Sequence, residues 1–487
     1  MPGWQIALIM MIAYLVIALI VGVMAGKGRD GSSLDEFAVA GGKLSLFVMW
    51  FLMGGAVFSA FSFLGAPGWA YSKGAPALYI IAYTAFAILP WFIIGPKVRK
   101  IGKRDRLFTI SGFLKGRFNS PLLAVLIGLI ALFASVQYLA TQMTGMAVIF
   151  DVMTEGRIPF WLGALISYGI VVIYVATGGL RAAAWSDVFQ GLLMIIVSWV
   201  VGLSIVYQLH GGTTEMFSQM AKDTPAFLQV GKEGSNMGTV AYSTTILVSV
   251  IGFLMWPHLF TKSYASNSRT IKKTVLAYPI FALFLVPLLL VGFAAVGVVD
   301  SGKLSSPDQV LPYLITTVMH LPGWVYGLVG AGALAAAMST ADAITHSASL
   351  EVTEGVIKNI WKNLSDKTTL RIMRLGVFVI GALSYYITVF GGQGLVALLL
   401  GAYGSIVQFA PGVYSALYWR RANAAGVISG LTVGTVVNYY YQLVVTTTPF
   451  GIHAGILGLI ANVVVMCTVC YATKPQIETA RRYVDVA

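Results

Sequence analysis

The sequence predicts an all-α polytopic membrane protein of about thirteen transmembrane helices, with the N-terminus outside and the C-terminus cytoplasmic. Three observations carry that expectation. Of the 487 residues, 58% are hydrophobic and only 10% charged, and the mean hydropathy is +0.83. A soluble domain carries about 25% charged residues, so soluble enzymes, nucleic-acid-binding modules and disordered proteins are poor readings of this chain. Apolar runs recur at the roughly 20 residues needed to cross the hydrocarbon core. The basic residues, finally, fall on alternate sides of those runs.

Taken in order, the runs lie near 5–25, 45–71, 76–96, 120–150, 158–177, 184–208, 240–260, 274–298, 320–349, 372–390, 394–418, 423–442 and 452–472. No basic residue precedes the first run and no small-x-small cleavage site follows it, so it reads as a span rather than a signal peptide. With the N-terminus outside, the outer loops hold Lys73, Arg157, Lys222, Lys232 and Lys303. The other 26 of 31 Lys and Arg then lie inside, clustered at Lys97–Arg117, Lys262–Lys273, Lys358–Arg374, Arg420 with Arg421, and Lys474–Arg482. That asymmetry is the positive-inside pattern, and it accounts for the net charge of +13 through topology and anionic lipid rather than nucleic acid. Residues 210–238 and 299–319 read as the longer outer loops. The two cysteines, Cys467 and Cys470, sit together in one apolar run without a nearby His, so they read as packing residues and not as a disulfide or zinc site. No linker marks a second domain.

Ionisable residues at membrane depth are functional candidates because burying them unpaired is costly. Asp187 begins the sixth run and Asp342 lies midway through the ninth. No Lys or Arg is expected deep in any span, so a bound cation is their natural partner; helix capping is the competing reading. Ser339 and Thr340 precede Asp342 in the small-residue stretch Ala335–Ala341 and offer hard oxygen ligands. In the second run, Gly54, Gly55, Gly65, Pro67 and Gly68 argue against an unbroken helix, and the seventh run has a comparable break at Gly252–His258. Broken helices leading each half point to a site between inverted repeats. The chain is accordingly read as one domain, 1–487: an added helix (5–25), a first five-helix repeat (45–208), its inverted counterpart (240–418) and two final helices (423–472).

Thr177-Gly178-Gly179-Leu180-Arg181-Ala182, followed by Trp185-Ser186-Asp187 and Gln190, resembles the signature of the sodium/solute symporter family. Leu334–Thr340 is similar to the family's second signature and Ala66-Pro67-Gly68 to its broken-helix motif, and the likeness runs through Tyr418–Asn423. The resemblance implies a LeuT-like core and sodium-driven alternating access in a multi-pass inner or plasma membrane protein. It implies a main sodium site of the Gly55, Phe58 and Ala336 carbonyls with the Ser339 and Thr340 hydroxyls. It also implies a substrate pocket at Ser59, Ser62, Tyr138, Gln142, Ser249, Phe253, Trp256 and His258. The aligned hydroxyls one turn beyond the main-site pair are replaced by Asp342 and Ala343, so Asp187 and Asp342 become a candidate second cation or proton site. Val57 stands where the family's proline carriers hold an aspartate.

Gln137-Tyr138 through Gln142, Trp256-Pro257-His258 and Gly451–Gly455 look most like the monocarboxylate-permease-like and pantothenate-permease-like members. A pocket of hydroxyls, amides and aromatics without a fixed cation suits a small, partly apolar anion whose carboxylate meets half-helix N-termini. Helix–helix hydrogen bonding competes as the role of Tyr138 and Gln142, and packing as the role of Phe253 and Trp256. The expected function is sodium-coupled import of a monocarboxylate-like anion, with no enzymatic activity. Pantothenate or an amino acid is the alternative substrate, and an uncoupled facilitator or channel the alternative class. The expected partners are sodium, a small-molecule substrate and the lipid bilayer, with no nucleic acid; a single chain suffices.

Overall fold

The computed structural model describes residues 1–26, 33–231, 235–392, 395–445 and 447–486, and every regular element among them is helical. Lys232 and the first residue of the 394–418 run lie outside the described residues. Among the described residues, seven helices are long and apolar enough to cross a membrane: Gly3–Gly26, Pro121–Met153, Phe160–His210, Ser268–Ala295, Gly323–Ile360, Asp366–Phe390 and Ala454–Ala472. Three bent pairs qualify when each is taken as one span, namely Leu34–Gly42 with Leu46–Gly55 (108°), Ala75–Phe86 with Trp91–Asp105 (48°) and Thr239–Met255 with Pro257–Tyr264 (52°).

Phe160–His210, at 51 residues, is far longer than one crossing requires. It is two helices, parted at Gly179 (φ 56°, ψ −146°), between the runs 158–177 and 184–208. Only glycine holds that backbone conformation without strain. A Cβ there would also lie 2.5 Å from the Phe37 carbonyl oxygen.

The first broken span opens at the first of the two glycine clusters that the sequence marks. Ser45 caps the helix Leu46–Gly55 by accepting from the Val48 N–H, and the chain leaves helical geometry after Gly55. It resumes at Phe61–Gly65 and continues through Ala66–Lys73. The interruption therefore falls at 56–59, not at Gly65-Ala66-Pro67-Gly68. Pro67 occupies the first turn of its helix, where the missing N–H costs no intrahelical bond. In the second broken span Trp256 is extended (φ −59°, ψ 128°), the geometry that a following proline imposes. Here the break lies where the sequence puts it.

The loops sort into two groups. On one side Arg181 pairs with Glu36 at 3.1 Å, Ser266 Oγ donates to Leu44 O at 2.6 Å and His346 Nε2 lies 2.8 Å from Phe37 O. The Glu351 carboxylate accepts from the N–H groups of Ile110 (2.6 Å) and Ser111 (3.2 Å), capping the helix Ile110–Phe118. On the other side Tyr71 donates to Val299 O at 2.9 Å and Asn236 to Lys73 O at 3.2 Å. Residues 210–238 are not plain loop, for they contain the helix Thr213–Asp223.

Residues 473–486 run across the basic side as a strap. Within its helix, Ile477–Val484, the buried Tyr483 packs edge-on against Phe113 at 5.2 Å. Gln476 donates to Phe118 O at 3.0 Å, Arg482 pairs with Asp105 at 3.0 Å and Arg420 with Asp485 at 2.7 Å. Arg117 lies beneath, donating to the Trp419 and Ala422 carbonyls, both at 3.3 Å. Burial pulls its guanidinium down to about 10.

Replacing Gly179 with Ala should destabilise the protein by about 1–3 kcal/mol through backbone strain, read as a lower unfolding midpoint in detergent. The control is Gly169→Ala, where an added Cβ meets nothing within 4 Å. An unchanged midpoint for Gly179→Ala would contradict the strained turn.

Candidate functional site

The helix Leu46–Gly55 ends inside the protein, so its last carbonyls need partners other than the next turn. Gly323–Glu351, a helix rich in glycine and alanine and buried along its length, supplies them. Ser339 Oγ lies 3.0 Å from Gly55 O, 3.1 Å from Ala336 O and 3.5 Å from Phe58 O, and Thr340 Oγ1 lies 3.1 Å from Gly55 O. The structure thus brings all five main-site residues together in a buried cluster. Two hydroxyls have two protons to share among three carbonyls with two lone pairs each. The cluster is rich in oxygen and poor in hydrogen, as a hard cation requires.

Asp187 adjoins this cluster. It is fully buried, and neither carboxylate oxygen has a hydrogen-bond partner among the described residues. A Cβ on Gly55 would lie 3.1 Å from its Oδ1, so glycine at that position lets the carboxylate approach the end of the broken helix. Asp342 is also buried and accepts from the Tyr174 hydroxyl at 2.9 Å. Nearby, Gln190 donates to Tyr14 at 3.0 Å, and Tyr14 donates to Met338 Sδ at 3.6 Å.

One expectation is overturned here. Lys262, read from the sequence as part of a basic inner loop, is 0% exposed and donates to Leu52 O at 2.5 Å. The short helical turns after Trp256 carry it back into the protein. Leu52 lies one turn before Gly55, the residue against which Asp187 packs, so the region does hold a fixed cation.

The proposed substrate residues divide. Tyr138, Trp256 and His258 form a ring cluster with centroids 4.8 to 5.9 Å apart, and Tyr403 closes it edge-on to Trp256 at 5.3 Å. Ser59 lies beside the Tyr138 hydroxyl. Gln142 Oε1 accepts from the Ala60 N–H at 2.9 Å while its Nε2 donates to Tyr138 O at 3.3 Å. Ser62 donates to Val57 O at 2.7 Å, and Ser249 spends its proton on Thr245 O in its own helix at 2.8 Å. Phe253 packs against Tyr278. The first-turn N–H groups expected to meet an anion are already capped, Ala60 by Gln142 and Ser62 by Ser59. A cavity of about 820 Å³ is bounded by Gln137, Thr144, Asp308 and Thr388, and none of the four rings lines it. The sequence reading missed Lys262, Tyr174 and Tyr403, and of these only Lys262 carries a local signal, its position five residues after Pro257.

Comparison with known proteins decides the family. The sequence model described as the Sodium:solute symporter family matches residues 37–434. The chain belongs to that family. An uncharacterized symporter of Bacillus subtilis (strain 168) is 31% identical, the alignment covering 96% of this chain and 97% of that one. A monocarboxylate transport permease protein of Rhizobium johnstonii and a sodium/proline symporter of Staphylococcus aureus are each 26% identical, over 95% and 97% of this chain and 96% and 93% of theirs. A sodium-coupled sialic acid symporter, solved substrate-bound and outward-open, shares the LeuT-like fold at a TM-score of 0.80, with 20% identity over 96% of this chain and 98% of that one. The protein is a sodium-coupled symporter of the membrane, with sodium as its coupling ion, and not an enzyme.

Ser339→Ala and Thr340→Ala should each weaken sodium activation of this symporter about tenfold, since one such interaction contributes on the order of 1–3 kcal/mol. Sodium titrations of transport or of thermal stability give the readout. Curves that overlay the parent's would remove these hydroxyls from the site.

Proposed function

We propose that this symporter imports a small, monocarboxylate-like organic anion by alternating access, through thirteen spans with the N-terminus outside and the C-terminus cytoplasmic. The observation that carries the substrate class is the capped Ala60 N–H. Its acceptor is the amide oxygen of Gln142, and a carboxylate oxygen can take the same place at the start of the second half-helix, where backbone donors and the helix dipole favour an anion. The rings of Tyr138, Trp256 and Tyr403 supply apolar walls for the rest of a small substrate. Val57, in place of an aspartate, leaves no carboxylate there to hold an amino group. The relationship to the Rhizobium johnstonii permease agrees with this reading.

Sodium takes the Gly55, Phe58 and Ala336 carbonyls with the Ser339 and Thr340 hydroxyls. Positive charge there is stabilised by the C-terminal end of the helix Leu46–Gly55. Ion and substrate thus meet opposite faces of one interruption, the ion on the carbonyls that end the first half-helix and the anion at the Ala60 N–H in place of the Gln142 amide oxygen. Asp187 and Asp342 beside them hold a further cation or proton. A monocarboxylate with one sodium moves without net charge; each additional cation would add roughly 2.3 kcal/mol per 100 mV of driving force.

A thermal-shift screen of small acids, vitamins, sugars and amino acids, with and without sodium, tests the substrate class, because a ligand of the folded state stabilises it by mass action. The expected outcome is stabilisation by short-chain monocarboxylates, larger in sodium. Stabilisation by pantothenate or an amino acid alone would replace the anion assigned here, and uptake unchanged in sodium-free vesicles would indicate an uncoupled facilitator.

Tyr138→Phe and Gln142→Ala should raise the substrate concentration for half-maximal uptake more than that for sodium, coupling passing on only part of the damage. Unchanged values for both ligands would place these residues outside the pocket.

A further inference from the structure

We infer that Lys97, Lys100 and Lys272 form a binding site for the headgroup of an anionic phospholipid on the basic side of the membrane. Net positive charge attracts such lipids everywhere along that side, whereas the structure assigns one of them a defined place.

A cavity of about 240 Å³ is lined there by Phe92, Ile93, Pro96, Lys97, Lys100 and Lys272. Two helices build it, Trp91–Asp105 supplying the first five residues and Ser268–Ala277 the last. Gly95 lets them meet. A Cβ there would lie 2.8 Å from Ile271 Cγ2, so the residue before Lys272 packs directly on the helix that carries Lys97. Spacings of three and four residues put Phe92, Pro96 and Lys100, and likewise Ile93 and Lys97, along one helix face. The face changes character once, from apolar side chains at the end of a span to ammonium groups beyond it.

The protein supplies no counterion to this cavity from either helix's neighbourhood in sequence. Residues 74–104 and 257–299 contain no Asp or Glu. Asp105 is engaged by Arg104 at 2.7 Å and Arg482 at 3.0 Å. Neither Lys97 nor Lys272 pairs with a carboxylate among the described residues. Their neighbours are rings instead: Lys97 Nζ lies 4.8 Å from the centre of Tyr418 and Lys272 Nζ 5.1 Å from that of Phe92. A ring face holds one side of an ammonium and leaves its other donors for an anion.

The surroundings make that anion a lipid. Ile93 is 62% exposed and Leu276, one turn beyond Lys272, 69%. An occupant must therefore set a phosphate against the ammonium groups and acyl chains against Phe92, Ile93 and Leu276. A basic pocket between helix ends at the membrane surface is the arrangement that selects such headgroups.

The test measures lipid binding to the detergent-purified full-length protein by native mass spectrometry, with dioleoyl phosphatidylglycerol, zwitterionic dioleoyl phosphatidylethanolamine and inorganic phosphate as probes. The parent should prefer phosphatidylglycerol. Each lysine near an anionic group contributes about fivefold in affinity, so Lys97→Gln combined with Lys272→Gln should weaken phosphatidylglycerol binding roughly thirtyfold. Binding of phosphatidylethanolamine should not change, and Lys97→Arg with Lys272→Arg should keep the parental affinity. Lys362→Gln with Lys367→Gln, which removes the same charge from exposed positions on the basic side, should keep it too. If the double Gln variant is unstable, Lys272→Gln alone carries the test at about fivefold. Equal binding of the two lipids by the parent, an equal loss in the Lys362 and Lys367 variant, or parental affinity without Lys97 and Lys272 would overturn the inference. Displacement of phosphatidylglycerol by inorganic phosphate at equal concentration would overturn it as well, by making this a site for a soluble anion.

Discussion

Ending a helix inside a membrane protein leaves backbone carbonyls with no water to satisfy them, and the rest of this structure answers that problem at Gly55. Gly55 O receives Ser339 and Thr340, Gly54 O receives the N–H groups of Val57 and Phe58, and Leu52 O receives Lys262. The last of these partners is a cation, as the negative end of a helix favours. Asp187 reaches the same end because Gly55 has no side chain to exclude it. The chemistry of the site follows from one missing helical turn.

Close approach of the central helix is the second requirement. Gly323–Glu351 presents glycine to its neighbours at Gly327 against Met10, Gly330 against Met11 and Gly332 against Val197. In a membrane, where helices gain nothing by hiding from apolar solvent, such small-residue contacts carry association through dispersion and short interhelical hydrogen bonds. The Ser339 and Thr340 hydroxyls reach Gly55 only because the small residues around them let the two backbones come so near. Tyr174 and Tyr14 then fill the flank where Asp342 and Met338 emerge.

Much of this was legible in the sequence, and the failures have physical causes. Apolar length located the seven long helices found among the described residues. Ser339, Thr340, Gly55 and Asp187 announced themselves as polar or minimal residues in apolar surroundings. Pro67 misled, because proline in a first turn is compatible with the helix it begins; the actual break has no proline. Lys262 misled because a charge at the end of an apolar run reads as the start of a loop, whereas three-dimensional packing wrapped that run's last turns with protein. Tyr174 and Tyr403 were invisible for another reason: their partners lie far away in sequence, Asp342 by 168 residues in the case of Tyr174. Gln142 was found as a polar residue in a span, but its service as a helix cap depends on where the other helix starts.

The strap at 473–486 bears on how the molecule is made. Its partners, Asp105 and Phe118, precede it by 377 and 358 residues in the bonds that fix it. During synthesis those partners are in place long before the strap leaves the ribosome, and contacts of such separation close last. Until then Arg117 has only the 419–422 carbonyls, and Phe113 lacks the ring that covers it. The nascent protein therefore carries an uncovered face through most of its assembly, and the docking of one short helix closes it.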